Sequence, residues 1–171
     1  MAQTVFESLD EVRAAVGRTL GTSDWMDVTQ EQVELFAEAT GDHGWIHVDA
    51  ERPTNESPFG DPRWPERPRG GAATSADHRR VAHAYLMLSL TNLVLPQLVE
   101  VRGASLGVNY GTGKVRFPAP APVGRRVRGT AELVACDEIS GGVQTTIVIT
   151  MEVEGGAEPA CVVESLSRWL A

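Results

Sequence analysis

Residues 81–95, VAHAYLMLSLTNLVL, are apolar on nearly every side and are followed directly by Pro96. A helix that is apolar all round is a buried helix, and a proline is a typical stop signal. The stretch is too short to cross a membrane, and polar residues such as His83 and Ser89 interrupt it. It therefore predicts a central core helix, with the rest of the chain arranged around it.

Downstream of this helix, the sequence changes to a period of two. Residues 143–153 (VQTTIVITMEV) carry apolar side chains at nearly every second position, which is typical of a strand with one buried face. Residues 125–135 alternate in the same way. The pair Gly141–Gly142 lies between the two runs and predicts a turn that joins them as a hairpin.

Two further strands are predicted on either side of this hairpin. One covers 104–117, with a bend at Gly111 or Gly113, and the other covers about 160–170, after a turn at 155–156. One buried helix and at least four successive antiparallel strands predict an α+β domain. The economical arrangement is a curved antiparallel sheet wrapped around the long central helix.

The sequence before the central helix predicts two shorter helices. Residues 6–18 have apolar side chains at helical spacing and form the main part of an N-terminal helical extension at 1–20. Thr29 and Gln32 have the spacing of a capping box, which predicts a second helix that ends at Gly41.

Composition places the chain among globular proteins. Its 171 residues suit a single domain, 1–171, and 42% hydrophobic residues can fill a core. A net charge of −8 argues against a nucleic-acid partner. We expect a cytoplasmic protein with no membrane association, because the N-terminus lacks the apolar run of a signal peptide. Two cysteines, Cys136 and Cys161, fit a reducing compartment.

Residues 52–80 differ from their surroundings in being rich in proline, glycine and arginine and poor in aliphatic residues. Such a composition does not build a core. It predicts a long surface loop, with the part at 61–80 an inserted mobile loop.

The segment 42–49, DHGWIHVD, concentrates ionisable groups: Asp42, His43, His47 and Asp49. Three interpretations are open from the residues alone. The side chains are structural, with Asp42 capping a turn. Alternatively, His43 and His47 bind a divalent metal, although no third imidazole or glutamate base completes the pattern. In the third, Asp42 and His47 activate a water by general acid–base chemistry.

A resemblance favours the third interpretation. GDHGWIHVD (41–49) resembles the active-site segment of the MaoC-like (R)-specific enoyl-CoA hydratases, whose aspartate and histidine are spaced as Asp42 and His47 are. Other segments resemble the family in the same order: LFAEATGD (35–42), VAHAYLMLSL (81–90), NYGTGKVRFPAPAPVGRRVR (109–128) and EPACVVESLSRWL (158–170). The resemblance covers nearly everything from Thr22 onward and is closest to single-domain actinobacterial members.

This resemblance implies a hot-dog fold and a homodimer whose two sheets join edge to edge. The implied reaction is the reversible hydration of a trans-2-enoyl-CoA to the (R)-3-hydroxyacyl-CoA, without a metal or other cofactor. Asp42 and His47 would hold the water, and the backbone N–H of Ala84 would bind the thioester oxygen. The family usually has glycine where this chain has Ala84. In the family, the connection that precedes the position of Val81 is also about twenty residues shorter than in this chain. The longer connection leaves the substrate range of this protein undetermined.

Three further residues are candidate substrate-binding residues. His83 lies at the predicted helix start, where a structural role is an equal alternative, and Asn109 and Tyr110 lie on a strand that would line the acyl tunnel. The arginines at 125–128 could meet CoA phosphates, but their alternation favours a solvated face.

Two other functions compete with the hydratase. A hot-dog thioesterase generally has an acidic residue on the central helix, and residues 81–95 contain none. A non-catalytic acyl-binding or dimer-partner subunit is expected to lose Asp42 or His47, whereas both are present.

Overall fold

The computed structural model describes residues 3–49 and 80–171. The insertion predicted at 61–80 lies outside the described residues except for Arg80. Within the described ranges, no helix combines the length and the apolar character needed to span a membrane.

A mainly antiparallel sheet forms most of the described structure. Its strands are β2 (Thr19–Thr22), β3 (Met26–Asp27), β5 (Leu106–Arg116), β6 (Arg126–Ile139), β7 (Gly142–Val153) and β8 (Cys161–Leu170). They pair antiparallel in the order β2-β6-β7-β8-β5, and β3 also pairs with β6. A separate parallel pair joins β1 (Thr4–Phe6) to β4 (Val99–Val101).

The predicted hairpin and its alternation are confirmed. Every odd-numbered residue of β7 is buried, and β6 pairs with it from Val127↔Val153 to Ile139↔Gly142. The turn residue Gly141 has φ of +82°, a backbone conformation that side chains other than glycine rarely adopt. The buried face of this hairpin forms the sheet side of the core.

The predicted bend in β5 is also confirmed. Its pairing with β8 shifts register between Asn109 and Gly111 and again between Thr112 and Val115. At the second shift the Glu164 carboxylate accepts a hydrogen bond from Lys114 N at 3.1 Å. Register shifts of this kind mark β-bulges, which bend and twist a strand.

The central helix is confirmed, but with different ends. It comprises α4 (Ala84–Ser89) and α5 (Thr91–Leu98), joined through Leu90, which keeps a right-handed helical conformation. The stop predicted at Pro96 is wrong, because Val99 N donates to Leu95 O and closes a last turn beyond the proline. The prediction of burial on all sides is also wrong, since Tyr85 is 67% exposed.

The other helices are α1 (Leu9–Ala14), α2 (Gln30–Thr40) and α3 (Trp45–Val48). The capping box at Thr29 and Gln32 is present as predicted, and such a cap contributes about 1 kcal/mol. The helix predicted at 6–18 is shorter than expected. Phe6 pairs in β1 instead, because Ser8 caps the helix and fixes its start.

The fold is therefore the predicted α+β hot-dog fold, in which the sheet packs on the central helix. Gly129 of β6 marks the closest approach: a Cβ there would lie 2.6 Å from Val94 Cγ1 of α5. A glycine is needed at this position because any side chain would displace the helix from the sheet.

Candidate active site

The segment 42–49 is a turn followed by a helical turn, and not only the predicted loop. Helix α2 ends at Gly41, whose φ is +75°, and the Asp42 carboxylate accepts a hydrogen bond from Gly44 N at 3.2 Å. The short helix α3 then begins at Trp45 and carries His47. This turn directs both the carboxylate and the imidazole toward the start of the central helix.

Residues 81–83 approach the site as an extended segment. Val81 N donates to Ile46 O at 3.1 Å, and Ala82 N donates to Ala121 O at 2.8 Å. His83 then forms the N-cap of α4. These hydrogen bonds hold the segment 81–83, which leads into the central helix, between α3 and residue 121.

Asp42, His47 and His83 form one cluster. One carboxylate oxygen of Asp42 and one ring nitrogen of each histidine lie within 4.8 Å of one another. The imidazole rings of His47 and His83 stack, with centroids 3.8 Å apart and planes inclined by 25°. His83 Nε2 lies 2.9 Å from Asp42 O and 3.9 Å from Asp42 Oδ2.

Hydrogen bonding to carbonyl oxygens defines which nitrogen of each ring carries a proton. His47 Nδ1 lies 2.6 Å from Val81 O, and a carbonyl oxygen only accepts, so Nδ1 donates. In the neutral ring Nε2 then has a free lone pair. By the same argument, His83 Nε2 donates to Asp42 O, so in a neutral His83 ring Nδ1 is the nitrogen without a proton.

The environment of His47 favours the neutral ring. Burial lowers the pKa of His47 below its ordinary value, and the neighbouring His83 lowers it further. The hydrogen bond to Val81 O and the charge of Asp42 act in the opposite direction but are outweighed. Near neutral pH His47 is therefore a base with an available lone pair.

A cavity of about 460 Å³ opens beside this cluster. Asp42, His47 and Ala84 lie on its lining, and Ala84 is the first residue of α4. The first backbone N–H groups of a helix have no intrahelical acceptor. The remaining walls are largely apolar and include Phe36, Ile46, Met87, Phe117 and Ala121. A largely apolar cavity with a few convergent polar groups is typical of a small-molecule site.

Two predicted substrate-binding residues, Asn109 and Tyr110, do not line this cavity. Asn109 Nδ2 donates to Asn92 Oδ1 of α5 at 2.7 Å, and the guanidinium of Arg168 lies over the Tyr110 ring. Both residues line a separate cavity of about 240 Å³ between the central helix and β5, together with Ser89.

His43 and Asp49, the remaining ionisable groups of 42–49, do not join the cluster. His43 is about half exposed and lies 3.8 Å from Glu38. Asp42, His47 and His83 are thus the described residues that could hold a metal. However, imidazole lone pairs lie in the ring plane, and the planes of the two stacked rings are inclined by only 25°, which disfavours a metal shared between them.

The arginines at 125–128 divide into two groups. Arg126 and Arg128 lie partly exposed on β6 and form ion pairs with Glu154 and Glu152, as the solvated-face interpretation predicts. Arg125, in contrast, is only 5% exposed.

Sequence reasoning missed how His83 relates to the pair. It placed His83 at the helix start but could not show that the ring stacks on His47 and contacts Asp42, since 41 residues separate His83 from Asp42. It also missed the apolar walls from residues 117–121, although the resemblance included that segment.

Comparisons with known proteins agree with this architecture. The family model "MaoC like domain" matches residues 11–62. The chain is 46% identical over 167 residues to 3-hydroxyacyl-thioester dehydratase Z of Mycobacterium tuberculosis, covering 97% of this chain and 98% of the relative. It is 36% identical to Nodulation protein N of Rhizobium leguminosarum bv. viciae, covering 90% of this chain and 85% of the relative.

Among solved structures, the (R)-hydratase from A. caviae involved in PHA biosynthesis superposes with a TM-score of 0.62. The match covers 90% of this chain and 96% of that chain at 21% identity, so the likeness concerns the fold. The sequence relatives extend over nearly the whole chain. The chain belongs to the MaoC-like dehydratase family.

Proposed function

We propose that the protein is an (R)-specific enoyl-CoA hydratase, which reversibly hydrates a trans-2-enoyl-CoA to the (R)-3-hydroxyacyl-CoA. One observation carries the proposal: the Asp42 carboxylate and the free Nε2 of His47 lie together on the wall of a largely apolar cavity. Membership of a family with a named 3-hydroxyacyl-thioester dehydratase supports the class of reaction.

In this mechanism, a water is held between Asp42 and His47. The thioester withdraws electrons from the double bond, so the water oxygen adds to the β-carbon. The pair accepts one proton of the water and donates a proton to the α-carbon. This returns the pair to its original charge. Which of the two residues takes the proton is left open, because a coupled pair titrates as a unit. The reverse sequence dehydrates the 3-hydroxyacyl thioester.

Negative charge develops on the thioester oxygen as the water adds. The backbone N–H of Ala84 is the proposed donor to that oxygen, because it lines the same cavity and begins a helix. Its alanine side chain keeps the donor and adds one methyl group to the cavity wall. No metal or redox cofactor is needed, since the thioester itself activates the β-carbon.

The exposed edge of the sheet supports a homodimer joined edge to edge. Strand β5 lies at one end of the strand order, and Leu106, Val108 and Tyr110 are exposed along it. Tyr85 and Leu93 are also exposed, on the neighbouring central helix. An unpaired edge beside exposed apolar side chains favours pairing with a second copy.

We further propose that the acyl chain extends along the central helix toward β5. Asn109 and Tyr110 would then contact the acyl chain rather than the reacting atoms, because they line the cavity beside Ser89 and Asn92. The polar Asn92–Asn109 pair lies at this point between the helix and the strand.

The alternatives find less support. A hot-dog thioesterase generally places an acidic residue on the central helix, and α4 and α5 contain none. A non-catalytic acyl-binding or dimer-partner subunit does not require the Asp42–His47 arrangement that the cavity contains.

The test uses the wild-type protein with crotonyl-CoA and longer trans-2-enoyl-CoAs. We expect loss of the enoyl-thioester absorbance, and chiral analysis should identify the (R)-3-hydroxyacyl-CoA. A thiol reagent in a parallel assay should detect no released CoA. Release of CoA without hydration would support the thioesterase, and no reaction with any enoyl thioester would support the non-catalytic subunit.

A further inference from the structure

We propose that His83 is a positioning residue, whose ring holds both Asp42 and His47 in the geometry that the site requires. The catalytic consequence rests on the proposed function, whereas the geometric part does not. His83 immediately precedes Ala84, so this one residue connects the proposed water-binding pair to the proposed oxyanion donor.

The first contact fixes the main chain of Asp42. His83 Nε2 donates to Asp42 O at 2.9 Å, and the His83 ring is only 2% exposed. The Asp42 side chain is 60% exposed, so packing does not hold the carboxylate in place. Its position depends on the backbone from which it projects and on the hydrogen bond that it accepts from Gly44 N. The bond from His83 ties that backbone to the start of the central helix.

The second contact fixes the plane of His47. The His83 ring stacks on it at 3.8 Å, and Phe36 packs against His83 with ring centroids 5.1 Å apart. Val81 O holds the edge of His47 at Nδ1. With one edge and one face of the ring restrained, His47 Nε2 has a single direction in which to accept a proton.

The two nitrogens of His83 have different surroundings. Nε2 donates to Asp42 O, whereas Nδ1 is buried and has no hydrogen-bond partner among the described residues. A buried polar atom without a partner is unfavourable. The contacts of His83 to the pair are therefore the hydrogen bond from Nε2 to Asp42 O and the stacking of its ring face on His47.

Two substitutions separate these contacts. His83→Phe keeps a ring that can stack on His47 but removes the donor to Asp42 O. His83→Gln keeps an N–H at about the position of Nε2 but removes the aromatic face. The control is His43→Gln, because His43 is exposed and lies outside the cluster.

We expect His83→Phe to lower kcat for crotonyl-CoA hydration by about 100-fold, since small misplacements of reacting groups have effects of that order. KM should change little, and His83→Gln should recover part of kcat. The titratable groups that act on His47 are His83 and Asp42. Removing the imidazole of His83 removes one cause of the lowered His47 pKa. The acid limb of kcat/KM should therefore move to higher pH in both variants, but not in His43→Gln.

A raised KM with kcat preserved would overturn the proposal, because it would make His83 a substrate-binding residue. Wild-type kcat in His83→Phe would also overturn it. Nitrogen-15 NMR of the wild-type protein tests the geometry without any assay. It should find His47 protonated at Nδ1 and His83 at Nε2, and the opposite form of His83 would disprove the bond to Asp42. If the wild-type enzyme hydrates nothing, the proposed function fails and this measurement still decides the geometry.

Discussion

The two parts of the central helix lie in different surroundings. At its start, His83 is almost fully buried and contacts Asp42 and His47 from two other parts of the chain. Further along, Leu93 is more than half exposed, and the neighbouring strand β5 is exposed over nearly its whole length. The groups that we propose for the chemistry therefore come from one chain, whereas the second part of the helix and β5 expose apolar side chains that we propose a second copy covers. We expect substitutions of Asp42 and His47 to lower turnover without changing assembly, and charged substitutions on the exposed edge of β5 to disrupt assembly.

The largest effect is expected from the pair itself. Asp42→Asn and His47→Gln should each lower kcat/KM for crotonyl-CoA by about 10²–10⁴-fold, the usual contribution of general acid–base catalysis. The double variant should be little worse than the worse single one, because residues that act as a unit are not additive. Steady-state kinetics measure this, and circular dichroism should show an unchanged fold. Near wild-type activity in either single variant would remove that residue from the mechanism.

The next largest effect is expected at Ala84. Ala84→Pro removes the backbone N–H and should lower kcat by about 10²–10³-fold, the effect of losing one oxyanion donor. Proline is well tolerated at the first helical position, and His83 already has the extended conformation that a following proline requires.

Ala84→Gly is the matched control, because it keeps the donor and removes only the methyl group. It should retain (R) stereochemistry and, with more space, turn over bulkier enoyl chains at least as well. A folded and fully active Ala84→Pro enzyme would place the oxyanion site elsewhere.

We expect a charged substitution on β5 to disrupt the proposed dimer. Val108→Lys places a charge on the exposed edge strand and should convert a dimer into monomers, as measured by sedimentation velocity. Val134→Lys is the control, because Val134 has nearly the same exposure, 38% against 39%, but lies on β6 between two other strands. Equal effects of the two substitutions would contradict dimerisation through β5.

The same division explains what the sequence alone could predict. The buried face of β7 and the capping box at Thr29 were predictable, because each depends on spacing within a few residues. The exposure of Tyr85 was not, since an apolar residue looks the same whether its own chain or a second copy covers it. The stacking of His83 on His47 could not be predicted from the sequence either, because only the folded chain brings these residues together.

The pH dependence should reflect the surroundings of His47. Because burial and His83 lower its pKa, the ring stays neutral until the pH falls below the ordinary histidine value of about 6.5. The acid limb of kcat/KM should lie below that value, since a ring protonated at Nε2 can no longer accept a hydrogen bond from the water. The same shift favours the folded state at higher pH, because below the ordinary value the unfolded chain binds the proton more readily. An acid limb above pH 7 would contradict a partly buried, neutral His47.

The smallest effect is expected at Gly44, where the space between the two catalytic side chains can be tested directly. A Cβ at Gly44 would lie 3.3 Å from Asp42 Oδ1, 3.3 Å from His47 Cδ2 and 3.8 Å from His47 Nε2. Gly44 has φ of −52°, so alanine fits the backbone without strain. At 3.3 Å the methyl group is closer than an ordinary contact, so the Asp42 and His47 side chains must shift slightly to admit it.

Since the proposed water lies between Asp42 and His47, the methyl group should crowd it and lower kcat by about 10-fold, less than the roughly 10²-fold that a 1 Å misplacement can cost. Val134→Ala is the control, because Val134 is 38% exposed on β6 and lines neither the cavity beside the pair nor the cavity beside β5. It should leave kcat unchanged. Full activity in Gly44→Ala would mean that the water binds on another side of the pair. An equal loss in Val134→Ala would mean that the loss in Gly44→Ala does not come from the space between Asp42 and His47.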